Sequence, residues 1–258
     1  MHLCAYFESI NSATLVRLDT INDDVLTRSG ADRFFVPPEL PNILWAAAMG
    51  TDLTRAQIVS PSLQARRANL EVLPRQRGAE LWTLGFPEIF LPLRPITLAP
   101  TEELEFQAAE DNSSSSVVYG LIALAPASLP APPAGDVIAV RATGTTTLVA
   151  DAWTTCTLTP DSTLPPGQYA CIGFVPISAT GIAARMLINQ QVWRPGMPVM
   201  GGTEAAAAEF NDEKLRQLMN YNYGAFSHIN FPQFQFLASA ADTAETVIMY
   251  VVRTGNAS

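Results

Sequence analysis

The chain says much the same thing twice. Leu40-Pro41, followed by Trp45-Ala46, Leu53 and Ile58, is matched by Leu164-Pro165, followed by Tyr169-Ala170, Ile177 and Ile182, at a constant offset of 124 residues. Upstream, Leu15-Val16-Arg17 and Ala139-Val140-Arg141 keep the same spacing. Downstream, Leu104-Glu105-Phe106 and Val117-Val118-Tyr119 answer to Phe234-Gln235-Phe236 and Val247-Ile248-Met249, at an offset of 130. Self-similarity of this kind constrains the architecture before any local signal is weighed. It implies two weakly similar units in tandem, and a chain of 258 residues has room for two of roughly 125, each able to bury a core.

Both units read as β-structure. His2–Glu8, Thr14–Asp19, Gln57–Ser60, Asn69–Leu73, Leu104–Ala108 and Val117–Leu124 alternate or run apolar between turn-forming residues. The apolar run Asn42–Gly50 is short and flanked by proline, which argues against a helix. The second half restarts with Val137–Val149, Thr154–Leu158, Gln168–Val175 and Gly181–Ile188, and finishes with Gln233–Ala238 and Thr246–Val252. Asp111 to Ser116 suits a hairpin loop, because Asp, Asn and Ser satisfy turn backbone groups locally. Residues 125–136 are rich in proline, which removes donors and stiffens an extended connection. The expected division is 1–127, a Pro-rich linker over 128–136, and 137–258. One helix is expected, over Glu204–Met219. Thr203 would cap it, acids lie near its start, and Lys214 and Arg216 lie near its end, as the helix dipole prefers. Seven or eight short strands per unit, with long excursions between some of them, suit a two-sheet sandwich. The jelly roll, which closes eight strands in two Greek keys, is the expected form. The fold class expected is therefore all-β: two tandem jelly-roll sandwiches, with one helix inserted in the second.

Hydrophobic residues make up 48% of the chain and charged ones 15%, the balance of an ordered protein whose surface is covered in part by neighbouring subunits. The net charge is −9, with acids in excess in both halves, so direct nucleic-acid binding is not expected. Arg66, Arg67, Arg75 and Arg77 form the one basic cluster, read as a solvated loop or as ion pairs. The N-terminal residues have no signal-peptide pattern, and no apolar run is long enough to span a membrane. Cys4, Cys156 and Cys171 match no metal or redox spacing and read as buried apolar residues in strands.

Catalytic chemistry finds little support, and the chain is expected not to be an enzyme, with no metal and no cofactor. It has two histidines, His2 at what reads as a frayed end and His228 in a loop or strand, and no G-x-S-x-G elbow. Asp19, Asp23 and Asp24 lack the remainder of a calcium loop and read as an acidic surface turn. Glu102, Glu103 and Glu105 invite comparison with a glycosidase pair, but nothing places a second carboxylate across a cleft, and a solvated strand edge is the plainer reading. Trp193-Arg194-Pro195-Gly196 and Tyr221-Asn222-Tyr223-Gly224 are of more interest, since Trp, Tyr and Arg anchor interfaces. Three readings stand: loop side chains folded back on their own sandwich, a protein interface, or a sugar site. Trp193, Arg194, Phe210, Tyr221 and Tyr223 are taken as candidate subunit-interface residues.

With these features in hand, the sequence resembles the double jelly-roll major capsid proteins of tailless icosahedral bacterial viruses. The resemblance is carried by Leu164-Pro165-Pro166-Gly167-Gln168-Tyr169-Ala170, by Ile177 to Arg185, and by Trp193-Arg194-Pro195-Gly196. It covers the whole chain in architecture and about residues 164–196 in motif. It implies a structural subunit that self-assembles as a pseudo-hexagonal homotrimer and packs against neighbouring capsomers and penton or minor capsid proteins. It further implies residence in the virion after assembly in a host cytoplasm. The negative charge is compatible with members that enclose an internal membrane. The alternative is a carbohydrate- or receptor-binding β-sandwich protein, such as a spike or surface component.

Overall fold

The computed structural model of the protein describes residues 1–66, 69–72, 74–76, 89–90, 95–111, 115–189, 191–204 and 221–256. Among these it is all-β, with mainly antiparallel sheets, and it divides into two compact units that meet in sequence at Ala127 and Ser128.

The first unit comprises β1 (His2–Ile10), β2 (Val16–Arg17), β3 (Asp19–Thr20), β4 (Arg33–Phe35), β5 (Asn42–Gly50), β6 (Leu53–Val59), a five-residue helix α1 (Pro61–Ala65), β7 (Leu70–Val72), β8 (Pro74–Gln76), β9 (Ile89–Phe90), β10 (Ile96–Thr97), β11 (Glu103–Glu110) and β12 (Ser116–Ala125). One sheet has the order β10-β5-β12-β1-β3, with β8 and β9 also pairing with β5. The other has the order β2-β11-β6-β7, with β4 beside β11. The two sheets face each other. The Tyr6 ring in β1 lies 5.3 Å from Phe34 and 5.8 Å from Phe106, both in the opposite sheet. Its hydroxyl donates to the Leu104 carbonyl at 2.8 Å. Gly120 in β12 lets the sheets close on Phe106, since a Cβ there would stand 2.5 Å from that ring. Asn42–Gly50 is a strand buried along its whole length, and burial on both faces is what its unbroken apolar run encodes.

The second unit comprises β13 (Val137–Gly144), β14 (Trp153–Cys156), β15 (Thr159–Pro160), β16 (Gly167–Ile177), β17 (Gly181–Leu187), β18 (Gly196–Pro198), β19 (Gly224–Ser227), β20 (Gln233–Ala238) and β21 (Glu245–Asn256). Its sheets run β15-β13-β21-β16-β19 and β14-β20-β17-β18. Phe174 of β16 meets Phe234 of β20 edge-on at 5.2 Å, across the core.

Apart from β4, β8 and β9, which have no counterpart among the described residues of the second unit, the strand order is the same in both. In each, the first and last long strands pair with each other, and the last pairs with the long strand at the middle of the unit, β5 or β16. The repeat is also visible in register. Ala123 faces Trp45 in one unit and Arg253 faces Tyr169 in the other, displaced by the same 130 and 124 residues as the sequence match. Two parts of that match do not hold. Phe106 faces Ile58, but Phe236 faces Ala184 rather than Ile182. Val16-Arg17 belongs to the β11 sheet, whereas Ala139-Val140-Arg141 lies within the first strand of its unit. Thr14–Asp19 is therefore not one strand. The chain crosses between sheets at Leu18, whose amide donates to the Phe106 carbonyl at 2.9 Å. Similarly, Val137–Val149 stops being strand at Gly144.

Residues 126–136 carry neither helix nor strand, and the Pro130 carbonyl accepts from the Asn222 amide at 3.0 Å. The expected helix over Glu204–Met219 falls outside the described residues except for Glu204, whose carboxylate pairs with Arg141 at 2.6 Å. All three cysteines are buried within strands, as expected. Among the described residues no helix is long and apolar enough to cross a membrane.

Candidate functional site

Alternation along β11 sends Leu104 and Phe106 inward, so Glu103, Glu105 and Gln107 face out of the sandwich. They do not form a solvated edge. β11 lies inside its sheet, with β6 on one side and β2 and β4 on the other, and those neighbours bring two arginines to the carboxylates. Glu105 accepts from Arg17 Nε at 2.9 Å, Arg33 Nε at 3.0 Å and Gln107 Nε2 at 3.0 Å. Glu103 accepts from Arg33 at 2.6 Å and from the Ser29 hydroxyl at 2.5 Å. Asp32 stands 3.7 Å from both arginines. Gln57 continues the network by donating to Gln107 at 2.7 Å, and Asn69 donates to Gln57 at 3.3 Å. The Ser29 hydroxyl and Arg33 hold the Glu103 carboxyl below the usual glutamate range. That is the opposite of what a glycosidase acid requires. Glu102 instead serves the short helix, accepting from the Ser62 amide at 2.8 Å.

The corresponding face of the second unit is built differently. Gln235 holds the position in β20 that Glu105 holds in β11, one facing Arg185 and the other Val59. The Gln235 carbonyl oxygen accepts from Arg185 Nε at 2.7 Å and from Arg194 at 2.9 Å, and its amide donates to the Thr155 hydroxyl at 3.1 Å. The Arg185 guanidinium is buried and lies 4.3 Å above the Trp153 ring. Stacking of this kind is worth about 2 kcal/mol when desolvated.

The interface residues expected from sequence separate accordingly. Arg194 is half-buried and joins this Gln235 cluster, and Trp193 beside it is also half-buried. Tyr221 is half-buried. Tyr223 is 5% exposed, edge-on to Phe174, with its hydroxyl 3.7 Å from Met197 Sδ. It therefore belongs to the core of its own unit, and burial pushes its phenol well above the ordinary value. Phe210 lies outside the described residues. Reading residue types without facing missed Arg185, Gln235, Trp153 and the Arg17–Arg33–Glu105 network. The repeat held a signal for one of them, because it aligned Glu105 with Gln235.

Two acidic or basic residues thought peripheral are also interior. His2 is buried, with Nε2 at 3.0 Å from Asp23 Oδ2. Asp23 turns the following chain by accepting from the amides of Val25 and Leu26 at 2.9 and 3.2 Å. His228 Nδ1 accepts from the Gly167 amide at 3.2 Å, a structural role. Among the described residues no group of histidine, cysteine and carboxylate side chains is arranged to hold a metal ion.

No family model matches the chain, and no curated protein matches it in sequence. Among solved structures, it is similar to the major capsid protein P2 of bacteriophage PM2, at 10% identity and a TM-score of 0.25, over 93% of this chain and 97% of that one. It is similar at the same identity and TM-score to a Paenibacillus xanthan lyase, over 96% of this chain but 25% of the lyase. Likenesses at this level do not establish a common fold.

Proposed function

We propose that the chain is a structural protein, the major capsid subunit of a tailless icosahedral virus, built from two jelly rolls. The observation that carries this reading is the strand order. One sheet of each unit contains the run β1-β12-β5-β10 or β13-β21-β16-β19, and the other the run β2-β11-β6-β7 or β14-β20-β17-β18, the order expected of a jelly roll closed from Greek keys. Two such units in one chain let three chains supply six similar sandwiches, enough for a trimer to tile a hexagonal lattice. The two outer faces differ, one a paired charge network and the other a buried arginine with an aromatic partner, which suits a subunit that meets unlike neighbours. On this reading the chain has no catalytic role. It is assembled in a host cytoplasm, resides in the virion and contacts penton or minor capsid proteins. It leaves the genome untouched, consistent with a net charge of −9.

Sedimentation and electron microscopy of the purified protein test this. The expected result is a trimer whose contacts bury well over about 1,000 Å², the size of a stable biological interface, and shell-like particles at higher concentration. A protein that stays monomeric at high concentration and binds glycans saturably would overturn it.

A further inference from the structure

The loop 239–244 of the second unit, which carries the chain from β20 in one sheet to β21 in the other, is fastened to two other loops. The Leu148 amide donates to the Asp242 carbonyl at 2.9 Å, and Asp151 donates to the Ala238 carbonyl at 2.8 Å. On the other side, the Ser178 hydroxyl and the Ala179 amide reach the Asp242 carboxylate at 2.8 and 3.0 Å, and Thr180 reaches the Ala240 carbonyl at 2.9 Å. Three residues beyond Asp242 comes Glu245, which is 1% exposed. One of its carboxyl oxygens accepts from the Thr146 amide at 3.2 Å, and the other, Oε1, is buried without a partner.

The two carboxyls make opposite demands. Asp242 is surrounded by donors: its own loop adds the amides of Thr243 and Ala244 at 2.8 and 3.3 Å. Among the described residues no cation acts on Glu245. Its ionisable neighbours there are Asp242 on the adjoining loop and, from β14, the buried thiol of Cys156, itself pushed up to about 11 by burial and by Glu245. Gly144, opposite it on β13, and Thr146 bring no charge.

We propose that Glu245 is a proton-operated latch on this end of the second unit: as a neutral acid it stays housed and holds the 145–150 loop through Thr146, and on ionising it leaves its site and frees that loop. Burial, with a smaller contribution from Asp242, raises the Glu245 carboxyl above its ordinary 4.5. Burial alone would also raise Asp242, but Ser178 and the surrounding amides outweigh it and hold that carboxyl below its ordinary 3.8. The signs follow from linkage. A raised acid binds more protons folded than unfolded, so the stability it contributes is complete in acid and falls as pH rises through its folded value. A depressed acid contributes stability that is lost as pH falls. The 239–244 loop is thus held most firmly in mildly acidic solution, between the two titrations.

Carboxyl-carbon NMR of the full chain, titrated from pH 2 to 8, tests this together with amide exchange corrected for intrinsic rates. The expected result is a Glu245 midpoint above 4.5, with Thr146 and Leu148 losing protection across that same midpoint, and no loss of protection above pH 4.5 in Glu245→Gln. A Glu245 midpoint at or below 4.5 would overturn the proposal, as would the same pH profile in Glu245→Gln. If that variant does not fold, the wild-type midpoint and its coincidence with the Thr146 change decide the matter.

Discussion

Glu105 and Gln235 occupy one position in two copies of the same strand, and the change from acid to amide alters everything around it. As an acid, Glu105 gathers Arg17 and Arg33 into a network with Glu103 and Asp32. As an amide, Gln235 accepts from two arginines at once and passes a hydrogen bond to Thr155. The exchange can be tested in one direction. Glu105→Gln should lower stability by about 2 kcal/mol, because hydrogen bonds to charged groups are the stronger ones and two arginines donate to this carboxylate. Urea unfolding would read the change as a lower midpoint at unchanged slope. An unchanged midpoint would mean that the arginines find equivalent partners in Glu103 and Asp32.

At the scale of the strand, packing between sheets sets the tolerance for change. Gly120 faces the Phe106 ring so closely that Gly120→Ala must displace either the ring or the backbone of β12. Overpacking of this kind costs about 1–3 kcal/mol. Thermal unfolding should show a drop of several degrees, and a second substitution at Phe106 to leucine should recover part of it. The long strands were legible in the sequence because their apolar residues alternate or run unbroken: Gln233–Ala238 is found as read, and His2–Glu8 lies within β1. The two-residue strands β2 and β3 were not legible, because nothing in Val16 to Thr20 marks a crossing from one sheet to the other. The charge network was hidden for a different reason. Its members Arg33 and Glu105 are brought together by strand pairing rather than by a local motif. Burial of Tyr223 was hidden too, since a tyrosine beside glycine in a loop-like string reads as a surface residue until Phe174 and Met197 are seen against it.

For the molecule as a whole, acidic charge is the long-range term. Copies with a net charge of −9 repel one another, and dissolved salt screens that repulsion over a Debye length of about 8 Å at physiological ionic strength. Self-association should therefore strengthen as salt rises from 20 to 300 mM, read as a falling concentration for half-assembly in sedimentation. A basic, nucleic-acid-driven assembly would show the reverse dependence.

The placement of the first and last strands has a consequence for how the chain is made. His2 pairs across from Leu124, and Val137 from Val252, so each sandwich is closed by the last-made strand of its own unit. Pairings so distant along the chain fold slowly, and they leave the apolar β1 waiting for its long partner β12 during synthesis. Yet the two waits do not overlap. Every partner of β1 has emerged by Ala125, before the strands of the second unit are made, so the first sandwich can shut while its successor is still unborn. Tandem order thus limits each exposed strand to the synthesis time of one unit.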